Sequence, residues 1–296
     1  MHYVGEISAL LTAILWSATS LLFSEASHRL GSIQVNIIRL ILASIFLTIT
    51  ILLMNLSFNI SLKQAGNLIL SGIIGLIFGD SYLFKAFQHI GPRISMLVMS
   101  LAPAIAAILA YFFLDEGISA LGILGMIITL IGIAIVVLQR EEHPSSKYKI
   151  SKIGILYALF GAIGQGVGLI FAKLAFNEGE VHSIVATFIR IFSSLLVMLP
   201  LVWMSGKYQN PFKVFFSDRK AFNLTAAGTI CGPYLGITLS LIAISNTSVG
   251  IAATIMSIVP ILLLPFVRIF YKEKLTWKSI TGAFVSVGGV AILFLR

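Results

Sequence analysis

Of the charged side chains inside otherwise apolar runs of this sequence, Arg39, Asp80, Lys85, Lys173 and Arg190 are the first candidates for chemistry. A charge at apolar depth in a membrane is expensive and usually faces a bundle interior or a water-filled cavity, where it pairs or meets a solute. Asp80 is the carboxyl placed to relay a proton, with a helix-to-helix hydrogen bond as the structural alternative. Lys85 lies about 140° round the helix from Asp80, so the two share no face. It shares one instead with Tyr82 and His89, near a helix end where a lysine can snorkel.

Arg39 follows a tight connection from Glu25, and an Arg39–Glu25 pair at one membrane face is the expected structural arrangement. At the corresponding place in the second half, Lys173 and Arg190 are both positive. Their counter-charge must come from Glu178 and Glu180 in the following connection, from carbonyl groups, or from the carboxylate of a solute.

Pro103 and Pro260 fall in the middle of apolar runs, where a proline removes a backbone hydrogen bond and kinks the axis. Carbonyls freed at paired helix breaks can coordinate a solute near the membrane midplane; packing kinks are the alternative. Gly228, Gly232 and Gly236, four apart, form one face that admits close helix contact. Trp16, Ser17, Ser100, Gln165 and Thr238, with Tyr82 and Tyr234, are polar or amphipathic groups at apolar depth. The candidate solute-binding set is therefore Trp16, Ser17, Asp80, Tyr82, Ser100, Pro103, Gln165, Tyr234, Thr238 and Pro260.

No metal and no cofactor are expected. His2, His28, His143 and His182 lack ligand spacing, Cys231 is the single cysteine, and no phosphate loop or acyl-transfer nucleophile is present. An enzyme is not expected, nor is a carrier that hydrolyses ATP by itself.

The elements that must position these groups are membrane helices. The chain is 58% hydrophobic and only 10% charged, against about 25% charged in soluble domains. Each crossing takes about 20 apolar residues. Apolar runs predict ten helices near 6–25, 33–54, 66–88, 93–113, 118–138, 153–175, 183–204, 221–244, 249–270 and 276–295. The runs are too long and too unalternating for barrel strands. The start, Met1 to Glu6, has no basic segment and reads as the beginning of helix 1 rather than a signal peptide. The net charge of +9 comes from basic residues in short connections, which membrane topology explains better than nucleic acid.

The longest polar stretch begins at Gln139, near the middle of the chain. It divides the sequence into a first five-helix unit (1–138), a linker (139–152) and a second unit (153–296). Ser100 and Pro103 recur as Ser257 and Pro260, 157 residues on, and Gly125 and Gly132 recur as Gly282 and Gly289 at the same separation; Asp115-Glu116 corresponds to Lys272-Glu273. Leu22-Phe23 corresponds to Ile170-Phe171, and Arg39 to Arg190. Five helices per unit is an odd number, so the second copy enters the membrane from the opposite side, an inverted repeat common in secondary transporters.

These residues also carry a family resemblance. Trp16-Ser17, Arg39, Gly79-Asp80-Ser81-Tyr82, Pro103 and Leu114-Asp115-Glu116, with Arg190, Pro260 and Lys272-Glu273 in the second half, resemble the EamA-type drug/metabolite transporter superfamily over nearly the whole chain. The resemblance implies an exporter-like carrier whose cavity is lined mainly by helices 1, 3, 4, 6, 8 and 9, and which handles amino acids, other metabolites or drugs. The sequence departs from the family at Glu25, where the first half often has lysine; Lys173 occupies the matching place in the second half.

Thirteen Lys and Arg lie in odd-numbered connections, from Arg29 to Lys278, against Lys63 and Arg296 elsewhere outside the helices. The positive-inside rule then puts both termini outside, whereas the family resemblance implies cytoplasmic termini. The sequence thus predicts a multi-pass protein of the cell (inner) membrane, monomer or homodimer. It would export a small metabolite such as an amino acid by alternating access, with proton coupling through Asp80. The competing expectation is a flippase for lipid or lipid-linked sugar.

Overall fold

The structure is a computed structural model that describes residues 3–113, 117, 119–138, 150–206, 210–247, 252, 255–272 and 275–293. Asp115, Glu116 and Glu273, and the linker from 139 to 149, lie outside the described residues. Everything regular among them is helical: α1 (Val4–Leu30), α2 (Ser32–Leu53), α3 (Leu62–Gly72), a π-helical segment π1 (Ile73–Gly79), α4 (Asp80–Met99), α5 (Ala102–Phe113), α6 (Ala120–Val137), α7 (Lys152–Asn177) and α8 (Ser183–Met204). There follow α9 (Pro211–Ser217), α10 (Arg219–Thr229), a second π-helical segment π2 (Ile230–Gly236), α11 (Ile237–Asn246), α12 (Val259–Phe270) and α13 (Trp277–Leu293). Seven continuous helical stretches are long and apolar enough to cross a membrane, and three shorter apolar helices span Ala102–Phe113, Val259–Phe270 and Trp277–Ile292.

The departures from the expected helix boundaries have physical causes. The connection expected between residues 88 and 93 shrinks to a single residue, because α4 is two helical pieces joined at Gly91 (φ 73, ψ 171). Only glycine adopts that backbone region without strain, and Pro92 beside it has no N–H to leave unsatisfied. Gly31 (φ 85, ψ 152) joins α1 to α2 in the same way. The expected fourth helix is likewise interrupted, at Ser100-Leu101, between α4 and α5, and Ser257-Ile258 form the matching turn before α12. Pro103 and Pro260 are accordingly not mid-helix. Each is the second residue of a helix that starts afresh, where a missing N–H costs nothing.

The segments π1 and π2 were not apparent from apolar periodicity. They begin 157 residues apart, and each carries glycines at its third and last positions: Gly75 and Gly79, Gly232 and Gly236. These glycines let a neighbouring helix approach at backbone distance. On π1, a Cβ placed on Gly164 of α7 would stand 2.6 Å from the Gly79 Cα, and one on Gly168 3.1 Å from the Gly75 Cα. On π2 the neighbour is α1, with Trp16 against Gly236 and Thr19 against Gly232, while Phe23 meets Gly228 of α10. The glycine face expected around residues 228–236 is therefore a packing face. Helices α6 and α13 meet as closely, Gly132 against the Ser286 backbone and Gly289 against Thr129.

The main apolar core joins α2, π1, α8 and α11 through fully buried Ile37, Leu40, Leu47, Leu76, Ile191 and Leu241. Many large apolar side chains point outward, among them Leu52, Leu53, Phe112, Leu201 and Phe270, as expected where the surrounding solvent is lipid.

Candidate functional site

Between the two halves lies a cavity of about 220 Å³. Its wall is built by α1, the middle of π1 (Leu76) with α4, the break between α4 and α5, α7, π2 with α11, and the start of α12, with one arginine each from α2 and α8. Of the sequence candidates, Trp16, Arg39, Asp80, Ser100, Pro103, Gln165, Arg190 and Pro260 line it.

Asp80 is the centre of a closed polar network. Its Oδ2 accepts from Arg39 Nη2 at 2.6 Å and its Oδ1 from Gln165 Nε2 at 2.6 Å. Arg39 also donates through Nη2 to the Leu76 carbonyl and through Nε to Asn36 Oδ1. Asn36 in turn donates to the Leu76 carbonyl and to Ser81 Oγ, while Gln165 donates a second bond to the Gly75 carbonyl. The wide turn of π1 makes this possible, since its altered register presents the Gly75 and Leu76 carbonyls to side chains from α2 and α7. Above the pair, the rings of Phe84 and Phe23 lie 5.0 and 5.9 Å from the Arg39 guanidinium carbon, a favourable cation–π position. The pair is fully enclosed, at 3% and 9% side-chain exposure.

The Arg39–Glu25 pairing expected from the sequence is not formed. Glu25 contacts Arg29 at 3.4 Å, and Arg29 also reaches Asp218, the N-cap of α10, at 3.3 Å. Chain proximity suggested Glu25; the bundle instead brings Asp80, 41 residues away, to Arg39.

Arg190 is placed differently. It is 7% exposed, and its Nε has no hydrogen-bond partner among the described residues. The candidate counter-charge Glu178 is engaged with Lys63 at 2.6 Å. The main chain of Arg190 is held firmly, its carbonyl accepting from Ser194 Oγ at 2.6 Å and packing against Gly72 of α3. Its Nη2 passes 3.6 Å from where a Cβ on Gly75 would sit, an ordinary van der Waals distance, so the guanidinium lies alongside π1.

Six candidates lie away from the cavity. Ser17 bonds the Ala13 carbonyl within its own helix, the usual resting place of a membrane serine. Tyr82 belongs to an aromatic cluster with Tyr157 and Phe160, and Lys85 lies 5.0 Å from the Tyr157 ring. The face shared by Tyr82, Lys85 and His89 is thus a packing surface around Tyr157. Tyr234 shares a 2.7 Å hydrogen bond with Thr50, and Thr238 donates to the Tyr234 carbonyl. Lys173 sits half-buried on α7, outside the cavity lining.

The cavity also uses residues that sequence reasoning passed over: Phe23, Phe84 and Phe87, Met96 and Met99, and Ser240 and Ser257. Asn36 was legible in principle, since it precedes Arg39 by three residues and so shares its helix face. Ser100 Oγ pairs with Ser286 Oγ at 2.8 Å, which ties the break after α4 to α13. Among the described residues no group of three or more His, Cys, Asp or Glu is placed to hold a metal ion.

A bundle of apolar helices around a buried cavity with charged walls defines a membrane transporter. The chain belongs to the EamA-like transporter family, whose profile matches it twice, over residues 3–138 and 152–295. An uncharacterized transporter of Archaeoglobus fulgidus is 20% identical over 289 residues, covering 98% of this chain and 97% of its own length. The uncharacterized transporter YdfC of Bacillus subtilis is 24% identical over 79% of this chain and 73% of its own. The probable magnesium transporter NIPA7 of Arabidopsis thaliana is 25% identical over 109 residues, 36% of this chain and 33% of its own. A solved crystal structure, 16% identical, superposes with a TM-score of 0.69 over 99% of this chain and 96% of its own, a likeness of fold.

Proposed function

We propose that the protein is a secondary carrier that exports a small metabolite across the cell membrane by alternating access. Its ten crossings form two inverted five-helix units, residues 1–138 and 153–296, joined by the linker at 139–152. The observation that carries this proposal is the cavity itself. It lies between the units, beside helix breaks at Ser100-Leu101 and Ser257-Ile258 and π-helical turns at Ile73 and Ile230. Paired interruptions at corresponding places in two halves are the usual mark of a transporter's central site. A space of about 220 Å³ is below the drug-sized range of roughly 300–1,000 Å³ and suits a metabolite of amino-acid size.

Proton coupling in this proposal runs through Asp80, whose release from Arg39 is the step a proton drives. The basic odd-numbered connections support a cytoplasmic position for them. A cation cargo of the kind named for the Arabidopsis relative is disfavoured, because among the described residues the cavity wall carries two arginines against one aspartate.

Counterflow in proteoliposomes tests the proposal. Vesicles preloaded with the cognate solute should accumulate labelled solute transiently, and a pH gradient should speed flux in the parent but not in Asp80→Asn. A panel of amino acids, organic acids, nucleosides and lipids that yields no counterflow, with only lipids raising the unfolding midpoint, would replace the carrier with a lipid flippase.

A further inference from the structure

Among the described residues lining the cavity, the ionisable groups are Arg39, Arg190 and Asp80. Asp80 is already matched: one oxygen faces Arg39 and the other Gln165. The wall therefore carries one positive charge more than it neutralises, and that charge is Arg190, with an Nε that bonds nothing. Asp80 acts on Arg190 only through space, because both its oxygens are bonded elsewhere, and one carboxylate shared by two buried guanidiniums leaves the wall short of a counter-charge that a solute can supply. Nε itself is shut off from the cavity, so the fork offered to a solute is the pair of Nη groups, whose planar arrangement matches the two oxygens of a carboxylate.

We infer that Arg190 is the seat for the single carboxylate of an amphipathic organic acid that carries no ammonium group. This inference rests on the carrier assignment above and narrows its cargo. The exclusion of an ammonium follows from the same inventory. Both Asp80 oxygens are engaged, no second carboxylate lines the described wall, and an ammonium beside a carboxylate seated on Arg190 would face more positive charge. Amino acids, the cargo expected from sequence, are zwitterions and fit this wall less well than the corresponding acids. The rest of the wall is apolar and aromatic, with Phe84, Phe87, Met96 and Met99 on α4 and Trp16 and Phe23 on α1, which suits a hydrocarbon body.

The test is ligand-induced thermal shift on the full chain in nanodiscs at neutral pH, with two matched series. One is hexanoate, norleucine, hexylamine and hexanol; the other is 3-phenylpropanoate, phenylalanine, 3-phenylpropylamine and 3-phenylpropanol. In at least one series the acid should bind with tenfold or greater preference over its zwitterionic, cationic and neutral counterparts. Arg190→Gln should abolish that preference, and Arg190→Lys, which keeps the charge but loses the fork, should retain a weakened form of it. The inference is overturned if neither acid shifts the midpoint, if the zwitterion or amine binds as well, or if Arg190→Gln binds the acid like the parent. Should both variants fail to fold, the parent's ranking of the two series still decides. Counterflow separates the two claims: a transported neutral solute with no acid binding keeps the carrier and sinks the carboxylate seat. Acid binding without counterflow does the reverse.

Discussion

Arg39 in the first half and Arg190 in the second occupy corresponding positions, yet the fold treats them differently. Around Arg39 the first half assembles Asp80, Asn36, the Leu76 carbonyl and two aromatic rings. In the second half the position matching Asp80 is Ile237, and the position matching Asn36 is Thr187, which bonds its own helix at the Ser183 carbonyl. The two halves share a backbone plan, with π-helical turns and breaks at equal separations, but only the first supplies chemistry that satisfies its arginine. Duplicated architecture with unequal side chains thus leaves one arginine as a hydrogen-bonded internal strut and the other at the cavity wall with an unbonded Nε and only a through-space share of Asp80.

Variants that remove one member of the first-half pair are expected to have the largest effect. Arg39→Gln or Asp80→Asn breaks the buried hydrogen-bonded ion pair, a loss of about 3–5 kcal/mol. The double variant should recover part of it, measured as heat-unfolding midpoints in a fixed detergent. If Arg39→Gln is as mild as Arg190→Gln, the contrast between the halves fails.

The second comparison concerns how each π turn is covered. Gly164 of α7 presses its backbone onto Gly79, whereas the corresponding position on α1 is Trp16, whose ring lies against Gly236. Gly164→Val should force α7 off π1 at a cost of about 1–3 kcal/mol and disturb the Gln165 bond to Asp80. Trp16→Ala should lose less order at the backbone and alter the cavity instead, seen as changed solute affinity with a near-parental unfolding midpoint.

Arg190→Gln should change stability much less than Arg39→Gln, since removing a guanidinium with an unsatisfied Nε relieves a desolvated charge and so offsets the loss of its attraction to Asp80. Tyr234→Phe breaks the contact with Thr50, which still bonds the Phe46 carbonyl, and should cost about 0.6 kcal/mol, the average for hydrogen bonds between membrane helices.

The smallest effect is expected at Asp218, outside the membrane core. The Ala221 backbone N–H first, and Arg29 second, hold its carboxyl below the usual carboxylate range. A carboxylate with a depressed folded-state value contributes stability above its unfolded value and loses it as pH falls through the folded one. The gap between the parent and Asp218→Asn should therefore persist at neutral pH and close only as pH drops below the ordinary 3.8. A gap that closes between pH 5 and 7 would mean another group is responsible.

Much of this was legible in the sequence because it depends on spacing. Equal separations exposed the repeat, intramembrane charges exposed Arg39, Asp80 and Arg190, and four-residue glycine spacing exposed the face that packs on α1. What was not legible depends on assembly. Asp80 reaches Arg39 across 41 residues, and no periodicity chooses it over Glu25, which is nearer in the chain but holds Arg29 instead. Pro103 and Pro260 fall in unbroken apolar runs, and hydropathy cannot distinguish a kinked helix from one that stops and restarts. The π turns are hidden for a related reason: their residues are as apolar as their neighbours, and only the recurring Gly75, Gly79, Gly232 and Gly236 hint at them.

A π turn spends one more residue than an α turn, so the helix beyond it is out of phase with the helix before it by about 100°. Which way Asp80 faces is therefore governed by how Ile73–Gly79 winds as well as by which residues it holds. Winding the same residues as ordinary α-helix would swing Asp80 about 100° away from Arg39, whereas shortening the stretch by one residue would let it close into α-helix with Asp80 still facing Arg39. Insertion-deletion scanning would therefore single out Ile73–Gly79 and Ile230–Gly236 as two short windows, inside helices that otherwise read as uniform, where one residue can be lost without turning the helix beyond.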